Sequence, residues 1–199
     1  SFSAIFQRDI KRMLAYSSVA QIGYITLAIA LASQAGVQAA MLHMFNHGLM
    51  KAALFCALGC IFYRIGSTRI EDMAGLGRQM PWTFAAIVTG GLSLLGAPLT
   101  AGFISKWFLV QAALEQSLWW LVVLIVASSM LAVVYVWRLV EALYFKKPTA
   151  GSENVREAPL SVLLPTLLLA AANIYFGLDT RLTVELTGNA AVLLMRGHM

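Results

Sequence analysis

Charge is what this sequence has least of. Asp, Glu, Lys and Arg make up 12% of its residues, about half the share usual in a soluble domain, and mean hydropathy is +0.77. A fold bathed in water on all sides is thereby excluded. Acidic residues are the scarcer kind, nine against fourteen basic ones, and no two carboxylates sit in a pattern that would support acid–base catalysis. There are two cysteines, Cys56 and Cys60. They lie four apart within an apolar run and read as small packing residues, which excludes a disulfide framework or a thiolate metal cluster. A glycine-rich phosphate loop and a catalytic triad are missing as well, so an enzyme acting alone is not supported.

What the sequence has in abundance is long apolar runs, with Lys and Arg at their ends. The net charge of +5 therefore reads as membrane-flanking charge rather than a nucleic-acid footprint, since no basic stripe interleaved with aromatics tracks along the chain. Between Arg12 and Arg64 the only formal charge is Lys51. This stretch divides at Ser33-Gln34-Ala35-Gly36 into apolar segments 13–32 and 37–63, each long enough to cross roughly 30 Å of hydrocarbon. A charged loop, 64–81, follows.

The stretch 82–115 is too long for one simple crossing and too short for two, and Gly96-Ala97-Pro98-Leu99-Thr100-Ala101-Gly102 interrupts it. Pro98 lacks an amide donor and clashes with the preceding turn, which predicts two half-helices, 82–96 and 101–115, meeting inside the membrane. Residues 118–145 and 159–178 supply two further spans, separated by a polar cytoplasmic linker, 146–158. The tail, 179–199, mixes Leu and Val with Arg181, Glu185 and Asn189 and reads as interfacial or poorly ordered. If 82–115 crosses once, Arg8, Lys11 and Arg12, loop 64–81, and Lys146, Lys147 and Arg156 all share the cytoplasmic side, as the positive-inside rule expects. The expected fold is all-α, a polytopic bundle of transmembrane helices with one of them discontinuous. Opening on Ser1 with no secretion signal, the chain is expected to be a piece of something longer.

Few residues in these spans can carry chemistry. A lysine at mid-membrane costs about 3 kcal/mol on insertion scales, so Lys51 is a functional candidate by default. His43, His47 and Lys51 recur every four residues and form one polar stripe on an apolar helix, with Asn46 beside it. Histidine titrates near neutral pH and a lysine in a low-dielectric setting can release its proton, so the stripe could pass protons. It could also serve as hydrogen-bonding glue between helices. His43 and His47 have the spacing to chelate a metal, but acidic or cysteine ligands to complete a site are not near, and one helix face cannot clamp a haem. Lys106 follows directly on the Gly/Pro break, where unpaired backbone groups are tolerated only against protein or a water-filled cavity. Tyr24, Ser17, Ser18 and Gln21, with Thr89, Ser93, Ser128 and Ser129, are candidates for water wires. Glu141, near a basic helix end, reads as an ion-pair partner.

Three segments in order, Gln7-Arg8-Asp9-Ile10-Lys11-Arg12-Met13-Leu14-Ala15-Tyr16-Ser17-Ser18, His43-Met44-Phe45-Asn46-His47 with Lys51, and Gly102-Phe103-Ile104-Ser105-Lys106, resemble the antiporter-like membrane subunits. These are the N-, M- and L-type subunits of respiratory complex I (NADH–quinone oxidoreductase) and the A- and D-type subunits of Mrp-type sodium/proton antiporters. Arg69 to Pro81, with Ala74-Gly75-Leu76-Gly77, looks most like the D-type Mrp member. The resemblance implies two inverted five-helix repeats, of which residues 1–145 would be most of the second. It implies that Lys106 is the broken-helix lysine facing an outer half-channel and that Lys51, His47 and His43 belong to a central hydrophilic axis. It implies partner subunits in a multisubunit complex in a prokaryotic plasma membrane, protons as cargo with or without sodium, and no cofactor of the chain's own.

Overall fold

A computed structural model describes residues 1–147 and 155–196. The elements are a short α1 (Phe2–Ile5), α2 (Ile10–Ala30), α3 (Gln34–Ile65), two 3-10 turns (Glu71–Met73 and Leu76–Arg78), α4 (Pro81–Leu95), α5 (Ala101–Glu115), α6 (Trp119–Tyr144), α7 (Leu160–Leu178) and α8 (Arg181–Arg196). Among the described residues, strand pairing is limited to one isolated bridge, Asp9 with Arg69. Four helices, α2, α3, α6 and α7, are long and apolar enough to cross a membrane, and α4 is a shorter apolar helix. Many large apolar side chains are left exposed along the spans, as on α6, where Val123, Leu124, Met130, Val133 and Trp137 face outward. That is the surface a lipid solvent requires.

Local signals explain the helix ends. Asp9 caps α2 by accepting from the Arg12 amide at 3.0 Å, and Ser33 caps α3 from the Gly36 amide at 3.1 Å. Gly66 closes α3 in the left-handed region. Pro81 stands in the first turn of α4, where its missing amide costs nothing. The free amides of that turn are taken by Glu157: its Oε1 accepts from Trp82 and Thr83 at 2.6 and 3.2 Å, and its Oε2 accepts from the Thr83 hydroxyl at 2.8 Å. A carboxylate at a helix N-terminus also complements the helix dipole.

α3 is the hub. Its 32 residues make a rod of about 48 Å, against which α2, α4, α5, α7 and α8 all pack. The chain ends and loops sort to the two ends of the bundle. At one end Ile10 and Ile70 exchange backbone hydrogen bonds with Thr68 and Arg8, Gly75 donates to Ala142 O, and Arg64 donates to Glu157 O. At the other, the Gln116 amide after α5 donates to Leu31 O after α2 at 2.6 Å. The pair α4–α5 therefore carries the chain through the bundle once. All the loop-borne basic clusters described, around Arg8, Arg69 and Lys146, share the first end.

Of the linker expected at 146–158, residues 148–154 lie outside the described residues, and 155–158 are held by the Glu157 contacts and by the Val155 amide donating to Gln79 at 2.8 Å. The tail, read from sequence as interfacial or poorly ordered, is helical over Arg181–Arg196 and lies against the start of α3, where Gln38 donates to Val184 O at 3.2 Å. Leu182, Leu186 and Leu193 repeat on its exposed face. Residues 197–199 lie outside the described residues.

Two apolar clusters fill the bundle. One gathers Met13, Leu14, Leu54, Phe84, Leu94 and Leu139 toward the basic end, and the other gathers Tyr24, Ala28, Ala39, Leu109 and Ile125 toward the opposite end. Between them, on every helix that contributes, the sequence turns polar: Ser17 and Gln21 on α2, His43, Asn46 and His47 on α3, Ser105 and Lys106 on α5, Ser129 on α6. The fold thus sets a polar layer at mid-depth.

Candidate functional site

Both lysines predicted from sequence are buried, Lys51 at 6% exposure and Lys106 at 7%. Lys106 is therefore held inside the bundle rather than at an interface. Its position follows from the break. Gly96 ends α4 with φ of +83°, a conformation glycine adopts without strain, and a Cβ there would come within 2.9 Å of the Lys106 side chain. The two half-helices then cross so closely at Gly102 that a Cβ would sit 1.8 Å from Ser93 O. Ser93 Oγ accepts from the Gly102 amide at 3.1 Å. This crossing aims Lys106 back at the end of α4, where Nζ donates to Leu94 O at 3.0 Å and Leu95 O at 2.9 Å. These are carbonyls that the end of a half-helix leaves unpaired, at the negative pole of its dipole. A third bond reaches Ser129 Oγ on α6 at 3.0 Å, and the ammonium stands 5.2 Å from the centre of the Tyr24 ring. Tyr24 in turn shares a hydrogen bond with Ser129 at 3.3 Å.

Lys51 points the other way along α3 and docks on α2. Its Nζ donates to Leu14 O at 2.7 Å and, in a short contact, to Ser17 Oγ. Ser17 donates to Leu14 O at 2.9 Å. Among the described residues neither buried lysine is paired with a carboxylate: the two ion pairs present, Arg69–Glu71 and Arg181–Asp179, are both at the surface. A buried ammonium held only by neutral oxygens is far less secure than one facing a carboxylate.

The histidines lie between the lysines. His43, 1% exposed, bonds Ser105 on α5 through Nδ1 at 2.8 Å and Gln21 Oε1 on α2 through Nε2 at 3.1 Å. With Gln21 accepting, Nε2 carries the hydrogen and Ser105 donates to Nδ1. Turning the Gln21 amide half a turn supports the other tautomer, with Ser105 donating instead to Gly102 O at 3.2 Å. Both ring nitrogens are satisfied either way. His47 stacks on His43 with centroids 6.4 Å apart and planes 16° from parallel. In order, Lys51, His47, His43 and Lys106 are electrostatic neighbours.

The remaining candidates separate. Asn46 donates to Ala101 O at the start of α5, 2.7 Å away, and so ties α3 to the break. Tyr24 and Ser17 stand at the two lysines. Ser18 is half-buried and bonds only its own helix, at Leu14 O. Glu141 is exposed at the basic end, lining a shallow cleft with Arg8, Arg138 and Lys146, and is not part of the mid-depth layer. Four buried polar atoms make no hydrogen bond among the described residues: Asn46 Oδ1, His47 Nε2, Tyr135 Oη and Asn173 Oδ1. Sequence reasoning missed Ser105, Tyr135 and Asn173. For Ser105 the signal was its place between the break and Lys106. For the other two it was a polar group set inside an apolar span. No group of three or more His, Cys, Asp or Glu with the arrangement of a metal site occurs among the described residues.

The family model described as NADH:quinone oxidoreductase/Mrp antiporter, TM, matches residues 1–132. The chain is 40% identical over 190 residues, 89% of its length, to NADH-quinone oxidoreductase subunit N of Desulforudis audaxviator (strain MP104C), and covers 38% of that protein. Among solved structures it superposes on a chain of the membrane-bound sulfane sulfur reductase, an archaeal respiratory membrane complex, with a TM-score of 0.86 and 36% identity, covering 96% of this chain and 38% of that one. It superposes on a chain of the Mrp complex from Dietzia sp. DQ12-45-1b with a TM-score of 0.87 and 26% identity, covering 94% and 43%. The chain spans about two fifths of the length of each of these three proteins.

Proposed function

This chain belongs to the NADH:quinone oxidoreductase/Mrp antiporter family of membrane subunits, and from that premise we propose that it is the part of a proton-translocating subunit in which Lys51 and Lys106 are the proton-carrying groups and His47 and His43 connect them. The observation that carries the reading is the pair of lysines buried at mid-depth without carboxylate partners, on either side of two stacked imidazoles. An amine held by neutral oxygens is stable enough to stay buried in either protonation state, and each state suits a different set of neighbours. The site offers amines, imidazoles and hydroxyls, which hold protons, rather than the cage of carboxylate oxygens that would favour a metal cation.

The helix break serves the same end. Protonated Lys106 satisfies Leu94 O and Leu95 O, and on losing its proton it gives up charge-assisted bonds to them. The end of α4 is therefore coupled to the charge on Lys106, which gives a route from protonation to movement at the break. The parent would be a multisubunit complex whose driving chemistry resides in partner subunits. Two parents fit this reading, a respiratory, redox-driven complex and an antiporter driven by an ion gradient. The membrane would be a prokaryotic plasma membrane, with the basic end of the bundle toward the cytoplasm.

The competing reading is a structural subunit that keeps the fold and conducts nothing. Proton flux into vesicles holding the full-length parent complex separates the two when Lys51→Arg and Lys106→Arg are compared with wild type. Arginine keeps its charge throughout the accessible pH range. Flux lost at normal assembly supports proton carriage, whereas flux retained in both variants overturns it.

A further inference from the structure

Tyr135 is the one fully buried tyrosine of α6, at 0% exposure, and its hydroxyl makes no hydrogen bond among the described residues. A buried hydroxyl left unpaired is destabilising, because it gives up its bonds to water and gains none in return. For packing alone, phenylalanine would serve better in this place, which raises the question of what the hydroxyl does.

Its neighbours answer that. α2 and α6 run antiparallel: Tyr24 meets Ser129 and Ile125 at one level, bonding their hydroxyl and carbonyl oxygens at 3.3 and 3.4 Å. About 10 Å along the pair, at the other level, the Tyr135 hydroxyl lies beside Ser17, close enough to interact but outside hydrogen-bonding geometry, and it is also within electrostatic reach of Tyr24. Ser17 is the hydroxyl that Lys51 Nζ contacts, and Ser129 is the hydroxyl that Lys106 Nζ contacts. A row of hydroxyls, open between Tyr135 and Tyr24, therefore has a lysine at each end: Lys51, Ser17, Tyr135, Tyr24, Ser129, Lys106. The imidazole line differs in this respect, because the hydrogen bonds of His43 end on Gln21 and Ser105 and on neither lysine.

We propose that the Tyr135 hydroxyl is a proton-passing link between the Lys51–Ser17 pair and the Tyr24–Ser129–Lys106 group. The inference rests on reading the two lysines as proton carriers. In the transfer, Ser17 turns from Leu14 O toward Tyr135. Each hydroxyl accepts one proton on a lone pair from the side of Lys51 and releases its own toward Lys106. One proton leaves the Lys51 ammonium, one arrives on the Lys106 amine, and every hydroxyl is left neutral and reoriented. The step from Tyr135 to Tyr24 is closed by a bridging water or a small swing of either ring.

The test is proton flux in vesicles holding the full-length parent complex, in light and heavy water, for wild type, Tyr135→Phe, Ser17→Ala and Lys106→Ala, with assembly and thermal stability measured alongside. Tyr135→Phe is expected to keep or raise stability while flux falls on the order of tenfold or more and becomes more sensitive to heavy water, as befits loss of a positioned proton carrier. Wild-type flux in Tyr135→Phe with flux lost in Lys106→Ala overturns the link and leaves the lysine reading standing. Retained flux in Lys106→Ala overturns both. Lower flux in Tyr135→Phe accompanied by lower stability and unchanged isotope sensitivity assigns the residue a packing role and also overturns the link. If Tyr135→Phe fails to assemble, Ser17→Ala decides: reduced flux with heightened isotope sensitivity supports the run of hydroxyls, and wild-type flux refutes it.

Discussion

Replacing Gly102 by alanine tests the account of the broken helix with a single methyl group. The added carbon would lie 1.8 Å from Ser93 O and 2.7 Å from the Ser93 carbonyl carbon. Ordinary contact begins near 3.4 Å, so the half-helices must part by more than about 1 Å. Neither obstacle is a side chain that can swing away; both are α4 backbone. Overpacking of this kind costs roughly 1–3 kcal/mol. Parting the helices also stretches the Gly102 amide bond to Ser93 Oγ, now 3.1 Å, and a buried donor left unpaired adds about 1–3 kcal/mol. Together these come to about 2–6 kcal/mol. Thermal unfolding of the detergent-solubilised parent complex, followed by size-exclusion chromatography, measures it. Gly59→Ala is the control, because a Cβ there meets nothing within 4 Å and helix propensity favours alanine by up to about 1 kcal/mol. Equal midpoints for Gly102→Ala and Gly59→Ala would refute the close crossing.

Glu157→Ala removes the acceptor for two amides and a hydroxyl at the start of α4, and is expected to lower stability by about 1–2 kcal/mol, with Glu157→Gln recovering most of it; identical midpoints for all three proteins would contradict the cap. Asp9 supplies the acid-side pH dependence of the α2 start. Burial works against its ionisation, but the Thr68 hydroxyl, the Arg12 and Lys11 amides and the Arg12 guanidinium together hold its carboxyl below the usual carboxylate range. A lowered pKa means that the stabilisation is present above the unfolded value near 3.9 and is lost as pH falls through the folded value. Asp9→Asn should therefore flatten the wild-type loss of stability below about pH 4, and parallel curves for the two proteins would sink that assignment.

How much of this was legible in the sequence depends on the residue. The spans were, because hydropathy over some twenty residues fixes a membrane helix almost alone. So was the break, since Gly96 and Pro98 act on the backbone locally. Lys51 and Lys106 stood out as lone charges in apolar runs. What the lysines touch was not legible, because it depends on register between helices far apart in sequence. His43 meets Gln21 and Ser105, 22 and 62 residues away, and no local pattern encodes that pairing. Tyr135 was hidden by its own chemistry, since a tyrosine in a membrane helix ordinarily marks an interface. The helix Arg181–Arg196 was obscured because its polar residues break every apolar run, although Leu182, Leu186 and Leu193 keep a helical period on one face.

The central claim is that protons pass by way of the buried lysines, and Lys106 is where charge, helix break and hydroxyls meet. Proton flux in vesicles holding the full-length parent complex, compared between wild type and Lys106→Ala at matched assembly, tests it most directly. The account predicts that flux is lost while assembly stays intact; flux equal to wild type would contradict it and put the non-conducting structural role ahead.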